Sequence, residues 1–101
     1  MEKTYRITWS ITNPAIGEVI SNAHILCEAD SYFEAYLWAE YKIKQKLISL
    51  FPYIWEIEKK KAHEIVTEAK EWNQILNEDS ILSERLSKYI KFDVTELHHE
   101  Y

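Results

Sequence analysis

Glycine and proline are nearly missing from this chain. Among its 101 residues there is one Gly, at position 17, and two Pro, at 14 and 52. A single glycine excludes a Gly-rich phosphate loop. It also leaves few places where regular structure is forced to stop. Cysteine is equally scarce. Cys27 stands alone, which excludes an internal disulfide, and a small buried thiol is its expected state. No apolar run approaches the ~20 residues that span a bilayer, so no membrane segment is expected. The opening "MEKTYRITWS" has no basic flank followed by an apolar stretch, so a signal peptide is not expected. With the lone cysteine this points to the cytoplasm. There is no internal repeat and no low-complexity tract.

What is present is apolar and aromatic. Hydrophobic residues make up 47% and aromatics 14% of the chain, so a packed core is expected and disorder is not. The length sets one domain over residues 1–101. The formal charge of −5 is unevenly spread. Residues 1–41 carry two basic and six acidic side chains, residues 42–61 six basic and two acidic, and residues 62–101 four basic and nine acidic. Acidity on this scale disfavours broad contact with a phosphate backbone. It suits a partner whose own surface is basic.

Periodicity gives the elements. "KTYRITWSIT" alternates, with Tyr5, Ile7, Trp9 and Ile11 on one face, the pattern of a half-buried strand. "NPAIG" reads as a turn. "EVISNAHILCEA" alternates again, Val19, Ser21, Ala23, Ile25 and Cys27 against Ile20, Asn22, His24, Leu26 and Glu28, so the two runs predict a hairpin. Ser31 and Glu34 have the spacing of a capping box and open a helix whose stripe is Tyr32, Ala35, Tyr36, Ala39, Ile43, Leu47 and Leu50. Lys42, Lys44 and Lys46 fall late in that helix, where cations suit its dipole. Pro52 ends it. "YIWEIE" then predicts a strand over 53–58, with Glu56 and Glu58 solvated on one face. A helix is expected from Ala62, against a competing extension of the strand through Ile65. Ser80 is placed to cap a short helix, and "YIKFDVTEL" predicts a last strand. The order is β-β-α-β-α-α-β. The fold class is α+β, an antiparallel or mixed sheet of three to four strands with the helices mainly on one face. Tyr5, Ile7, Trp9, Ala39, Ile43 and Leu47 are the expected common core.

The stretch "SYFEAYLWAEYKIKQKL" raises the functional question, because it holds five aromatics in its first eleven residues. The inward stripe uses Tyr32 and Tyr36. Leu37, Trp38 and Tyr41 fall on the opposite arc beside Glu34 and Gln45. Either a helix drawn from residues 62–89 covers that arc, or it is an exposed patch. Trp and Tyr dominate interface hot spots, and a concentrated exposed patch marks a partner or self-association. Glu34, Leu37, Trp38, Tyr41 and Gln45 are therefore the candidate partner-binding residues.

No constellation of residues carries chemistry. His98 and His99 lack the further ligands of a tetrahedral metal set. His63-Glu64 lacks the second His of a zinc-protease helix. His24 and Cys27 point to opposite faces of a strand, which does not suit a nucleophile–base pair. No catalytic residue, metal or cofactor is expected, and the chain is read as no enzyme. Lys42, Lys44, Lys46 and Lys59–Lys61 flank Tyr53 and Trp55, so a small nucleic-acid module that stacks bases on those rings is the alternative reading. Trp55 alternates with Ile57 as a core residue does, and the three helix lysines do not share a face, which favours a protein partner.

Taken together, the alternating hairpin, "EADSYFEAYLWAEYKIKQKL" and "YIWEIEKK" resemble the β-β-α-β arrangement of small bacteriophage and mobile-element accessory proteins, anti-CRISPR inhibitors among them. The resemblance covers about residues 3–60 in organisation, and no residue motif carries over. It implies a non-enzymatic inhibitor, acting in the host cytoplasm, that occludes a site on a larger nucleic-acid-processing complex. Homodimerisation is the other association the exposed arc would serve.

Overall fold

Alternation along the first strand sets the architecture. The computed structural model describes residues 2–98. Its elements are β1 (Lys3–Asn13), β2 (Gly17–Ala29), α1 (Tyr32–Leu50), α2 (Pro52–Glu71), α3 (Glu78–Leu86), one 3₁₀ turn (Ser87–Tyr89) and β3 (Ile90–Leu97). The three strands form one antiparallel sheet in the order β2-β1-β3. The fold is α+β, as expected. Tyr5, Ile7 and Ile11 of the central strand are buried; Trp9 is only partly buried, against the edge of the same core. Arg6, His24, Leu26, Glu28, Lys91 and Asp93 on the opposite sheet face are exposed. Helix α1 (Tyr32–Leu50) lies over the inner face, so the sheet is wetted on one side.

The β1–β2 turn is built by Asn13. Its Oδ1 accepts the Ala15 N–H at 3.0 Å, and its carbonyl accepts the Ile16 N–H at 3.1 Å. Gly17 follows at φ +88°, with open space where a Cβ would stand. Its role is conformational. The strict alternation expected along β2 does not hold. Trp9 pairs with Ala23 but Ile11 pairs with Ile20, so β2 carries an extra residue there, and Asn22 takes φ +52°. This bulge reverses the phase: Ile20, not Val19, joins Ala23, Ile25 and Cys27 on the inner side, and Val19 is exposed.

Helix α1 starts at the expected cap. Ser31 Oγ accepts the Glu34 N–H at 3.2 Å, and Glu34 Oε2 accepts the Asp30 N–H at 3.1 Å. Ala35, Ala39, Ile43 and Leu47 are buried against the sheet. Tyr32, Tyr36 and Leu50, expected on the same stripe, are exposed. Tyr32 and Tyr36 border the contact with the sheet: the Tyr32 ring meets Tyr5 of β1 edge-on, and the Tyr36 ring lies tilted against Phe92 of β3, centroids 4.8 Å apart.

The expected strand over 53–58 is the first part of α2. Pro52 occupies the first helical turn, where its fixed φ suits a helix and its missing N–H costs nothing. The buried residues run Ile54, Glu58, Ala62, Val66, Ala69, a helical spacing that outcompetes the short alternation Tyr53, Trp55, Ile57. Ile65 lies within the same helix, so the competing strand is absent too. Asn73, at φ +59°, ends the helix, and the Gln74 N–H closes onto the Ala69 carbonyl at 2.8 Å. Asn77 rather than Ser80 caps α3; its Oδ1 accepts the Ser80 N–H at 3.0 Å.

One apolar core joins the sheet, α1, Ile54 and Leu86. The far half of the α2–α3 hairpin lies outside it. The molecule is long and flat, 61 × 33 × 15 Å, with a radius of gyration of 16.5 Å. No helix among the described residues is long and apolar enough to cross a membrane.

Candidate functional site

The outward side of α1 is uncovered. Phe33, Leu37 and Tyr41 are 67%, 49% and 59% exposed and follow one another at four-residue spacing, so they form a line along the helix. Leu37 and Tyr41 continue into a groove of about 310 Å³ shared with Gln45, Ile48 and Ser83 of α3. Gln45 Nε2 donates to the Tyr41 hydroxyl at 2.7 Å and holds that ring along the groove. The arc expected to be either covered or bare is therefore bare, since α3 reaches only its edge.

The groove floor is polar at one point. Lys44 is buried, and its Nζ donates to Glu40 Oε1 at 2.6 Å and to Ser83 Oγ at 2.7 Å. This lysine was expected as a solvated partner of the helix dipole. It is instead the joint between α1 and α3, and a buried ammonium needs such partners. Trp38 does not line the groove. It sits around the helix, about one-third exposed, with Lys42 Nζ 5.9 Å from its ring. Glu34 is engaged in the helix cap. Of the five candidates, the structure brings Leu37, Tyr41 and Gln45 together and leaves Glu34 and Trp38 on the border.

A second cleft, about 330 Å³, lies on α2 between Trp55, Glu56, Lys59, Lys60, His63 and Glu78. Of the residues of the alternative reading it holds Lys59, Lys60 and Trp55; Lys42, Lys44 and Lys46 lie on α1. Lys59 Nζ stands 4.5 Å from the Trp55 ring centroid, so the protein's own cation occupies the ring face a base would stack on. Two carboxylates share the cleft, and one of them, Glu78, bonds His63 Nδ1 at 2.8 Å.

No family model, curated protein or solved structure matches the chain.

The most buried charge is Glu58, expected to be solvated beside Glu56. On a helix these two point apart, and the Glu58 side chain is 1% exposed. Tyr89 donates to its Oε1 at 2.7 Å and Arg85 Nε to its Oε2 at 2.5 Å. Burial pushes the carboxyl up, but the Tyr89 and Arg85 hydrogen bonds and the Arg85 charge outweigh it and hold the group below the usual carboxylate range. The Tyr89 hydroxyl is pushed up to about 12 by burial first, then by its bond to Glu58 and that group's charge. The cluster is enclosed by α2, α3 and the 3₁₀ turn and serves as a structural latch. Cys27 is buried, with its thiol pushed up by burial and by Glu28; His24 is on the exposed face. His99, half of the His98-His99 pair, lies outside the described residues.

Sequence reasoning missed Phe33 on the exposed line and Glu40, Lys44, Ile48 and Ser83 at the groove. The Glu40–Lys44 pair was visible as an i,i+4 spacing. Nothing in the local sequence points to Ser83, which reaches the site only through the turn between α2 and α3.

Proposed function

We propose that the chain is a non-enzymatic protein-binding module whose docking face is the outward arc of α1. The observation that carries this is the line Phe33–Leu37–Tyr41, large side chains exposed along one helix face and ending in an apolar groove. Side chains of this size in water stabilise nothing in the isolated chain. They match the anchors of helix-in-groove and helix-face recognition. The net charge of −5 favours a basic partner. The most specific form of the proposal is an inhibitor of the anti-CRISPR or another anti-defence type, which covers the basic nucleic-acid groove of a processing complex and competes with nucleic acid electrostatically. The proposal rests on the exposed arc and the charge, since residues 53–58 are helical and the β-β-α-β order is not what supports it.

The test is displacement. The chain is titrated into a panel of purified RNA-guided nucleases holding fluorescent target DNA, and DNA release is followed by anisotropy. Release by the native chain and its loss in Leu37→Ala/Tyr41→Ala supports the reading. Direct binding of short single-stranded DNA by the chain alone, weakening steeply as salt rises, would move the function to the lysine cleft of α2.

A further inference from the structure

We infer that the α2–α3 hairpin is a self-association arm, through which two copies of the chain pair antiparallel into a four-helix arrangement. The hairpin beyond the Glu58 latch buries only Ala62, Val66 and Ala69 on α2, all small or medium. Its largest apolar groups are turned out: Ile75 is 95%, Trp72 74% and Leu76 41% exposed. Beside them Ile65, Leu76 and Ile81 wall a cleft of about 480 Å³. Leu76 belongs to both sets, so the projecting tip and the cleft adjoin. That is the requirement of a two-fold contact, in which residue i of one copy meets residue j of the other and the reverse.

The size of the surface points to a second copy. The accessible surface is 7371 Å², whereas a compact monomer of 12.1 kDa exposes roughly 6,000 Å² by the scaling of globular proteins. The surplus of about 1,300 Å² exceeds the ~800 Å² that each partner gives to a standard interface. The radius of gyration of 16.5 Å likewise exceeds the ~13 Å of a compact chain this long. Charge fits the same pairing. The outer part of α2 carries the exposed acids Glu64, Glu68 and Glu71 against one base, Lys70, and the cleft carries Arg85 and Lys88 against one acid, Glu84. Antiparallel pairing lays the acidic tip of each arm beside the basic base of the other. Four helices then enclose the apolar side chains that two leave in water.

This inference does not depend on the α1 arc, and the measurement separates the two. Molar mass is followed by light scattering and sedimentation over roughly two decades of protein concentration, where mass action must show the transition. The native chain is expected to become a dimer. Trp72→Lys/Ile75→Lys is expected to weaken the dimer by at least about tenfold, with the far-ultraviolet dichroism of the native monomer. Leu37→Ala/Tyr41→Ala is expected to dimerise as the native chain does. A native chain that stays monomeric throughout overturns the inference, and so does a dimer that survives the tip substitutions or is lost with the arc substitutions. If the double lysine variant loses its helical signal, Ile75→Ser decides the matter, because a side chain 95% exposed has no packing in its own chain to lose.

Discussion

The sheet with α1 and the α2–α3 hairpin are held together by different physics. Under α1 the contacts are apolar and fully closed: Ile7, Ala35, Ala39 and Leu47 have no exposure. In the hairpin the buried apolar residues are mostly small, Ala62, Val66 and Ala69, and polar links are added to them. Glu58 holds Arg85 and Tyr89, and His63 meets Glu78, while Lys44 of α1 ties the hairpin to the rest through Ser83. Apolar contact is indifferent to pH and weakly sensitive to salt, whereas charged hydrogen bonds respond to both. The two regions should therefore fail under different conditions, the hairpin first at extremes of pH.

The largest effect belongs to the apolar region. Ile43→Ala should cost about 2–5 kcal/mol in chemical unfolding, equally at low and high salt. A near-neutral result would place Ile43 outside the core. In the hairpin, Glu58→Ala should cost about 3 kcal/mol, the lower end for a broken buried ion pair, because Arg85 keeps 23% of its side-chain exposure and can turn to water. If Glu58→Ala melts like the native chain, the latch is incidental and the contrast between the two regions is lost.

The pH dependence is the next sharpening. Glu58 is held below its unfolded value of about 4.3. Its contribution is thus complete above that value and disappears as pH falls through the folded pKa. Tyr89 runs the other way. Its folded value of about 12 lies above the unfolded ~10, so its contribution is complete below pH ~10 and is lost as pH climbs toward 12. Melting temperature should decline on both flanks in the native chain. Tyr89→Phe should flatten the alkaline flank and Glu58→Gln the acid one. Flanks unchanged by either substitution would assign the pH dependence to other groups. The smallest effect is expected on the bare arc of α1. Leu37→Ala/Tyr41→Ala should change stability by no more than about 0.5 kcal/mol, as exposed sites do. Adding Trp38→Ala, two-thirds covered, should be felt more. A drop of ~3 kcal/mol or more, the cost of a buried aromatic, would show the arc to be packing surface.

The same contrast decides what the sequence reveals. Around the sheet, the buried positions are apolar except Asn13 at the turn and Lys44 at the α3 joint, so Tyr5, Ile7 and Ile11, the capping box and the Ala35–Leu47 stripe could all be read directly. In α2 the stripe passes through Glu58. A carboxylate at a core position interrupts the helical pattern, and the remaining alternation of Tyr53, Trp55 and Ile57 imitates a strand. Its partners Arg85 and Tyr89 lie about thirty residues away, beyond the reach of any local rule. The β2 bulge is hidden for a similar reason, because Val19 and Ile20 are equally apolar and only the pairing shows which one turns inward. At the candidate site the line of α1 side chains follows from helical geometry alone, whereas Lys44 and Ser83 needed the fold to bring them together.

The central place of β1 has a kinetic consequence. Its pairing with β2 closes across a short turn, but its other edge pairs with β3, where Thr4 lies opposite Leu97. That second contact closes a loop of nearly the whole chain, whose entropy cost must be met before the contact returns any stability. The hairpin and the helices can form on their own timescales, yet the core under α1 is complete only when β3 arrives. Until then β1 presents an open edge with Tyr5, Ile7 and Trp9 alongside it, the arrangement through which unfinished sheets pair with strangers. Refolding yield should consequently fall as protein concentration rises.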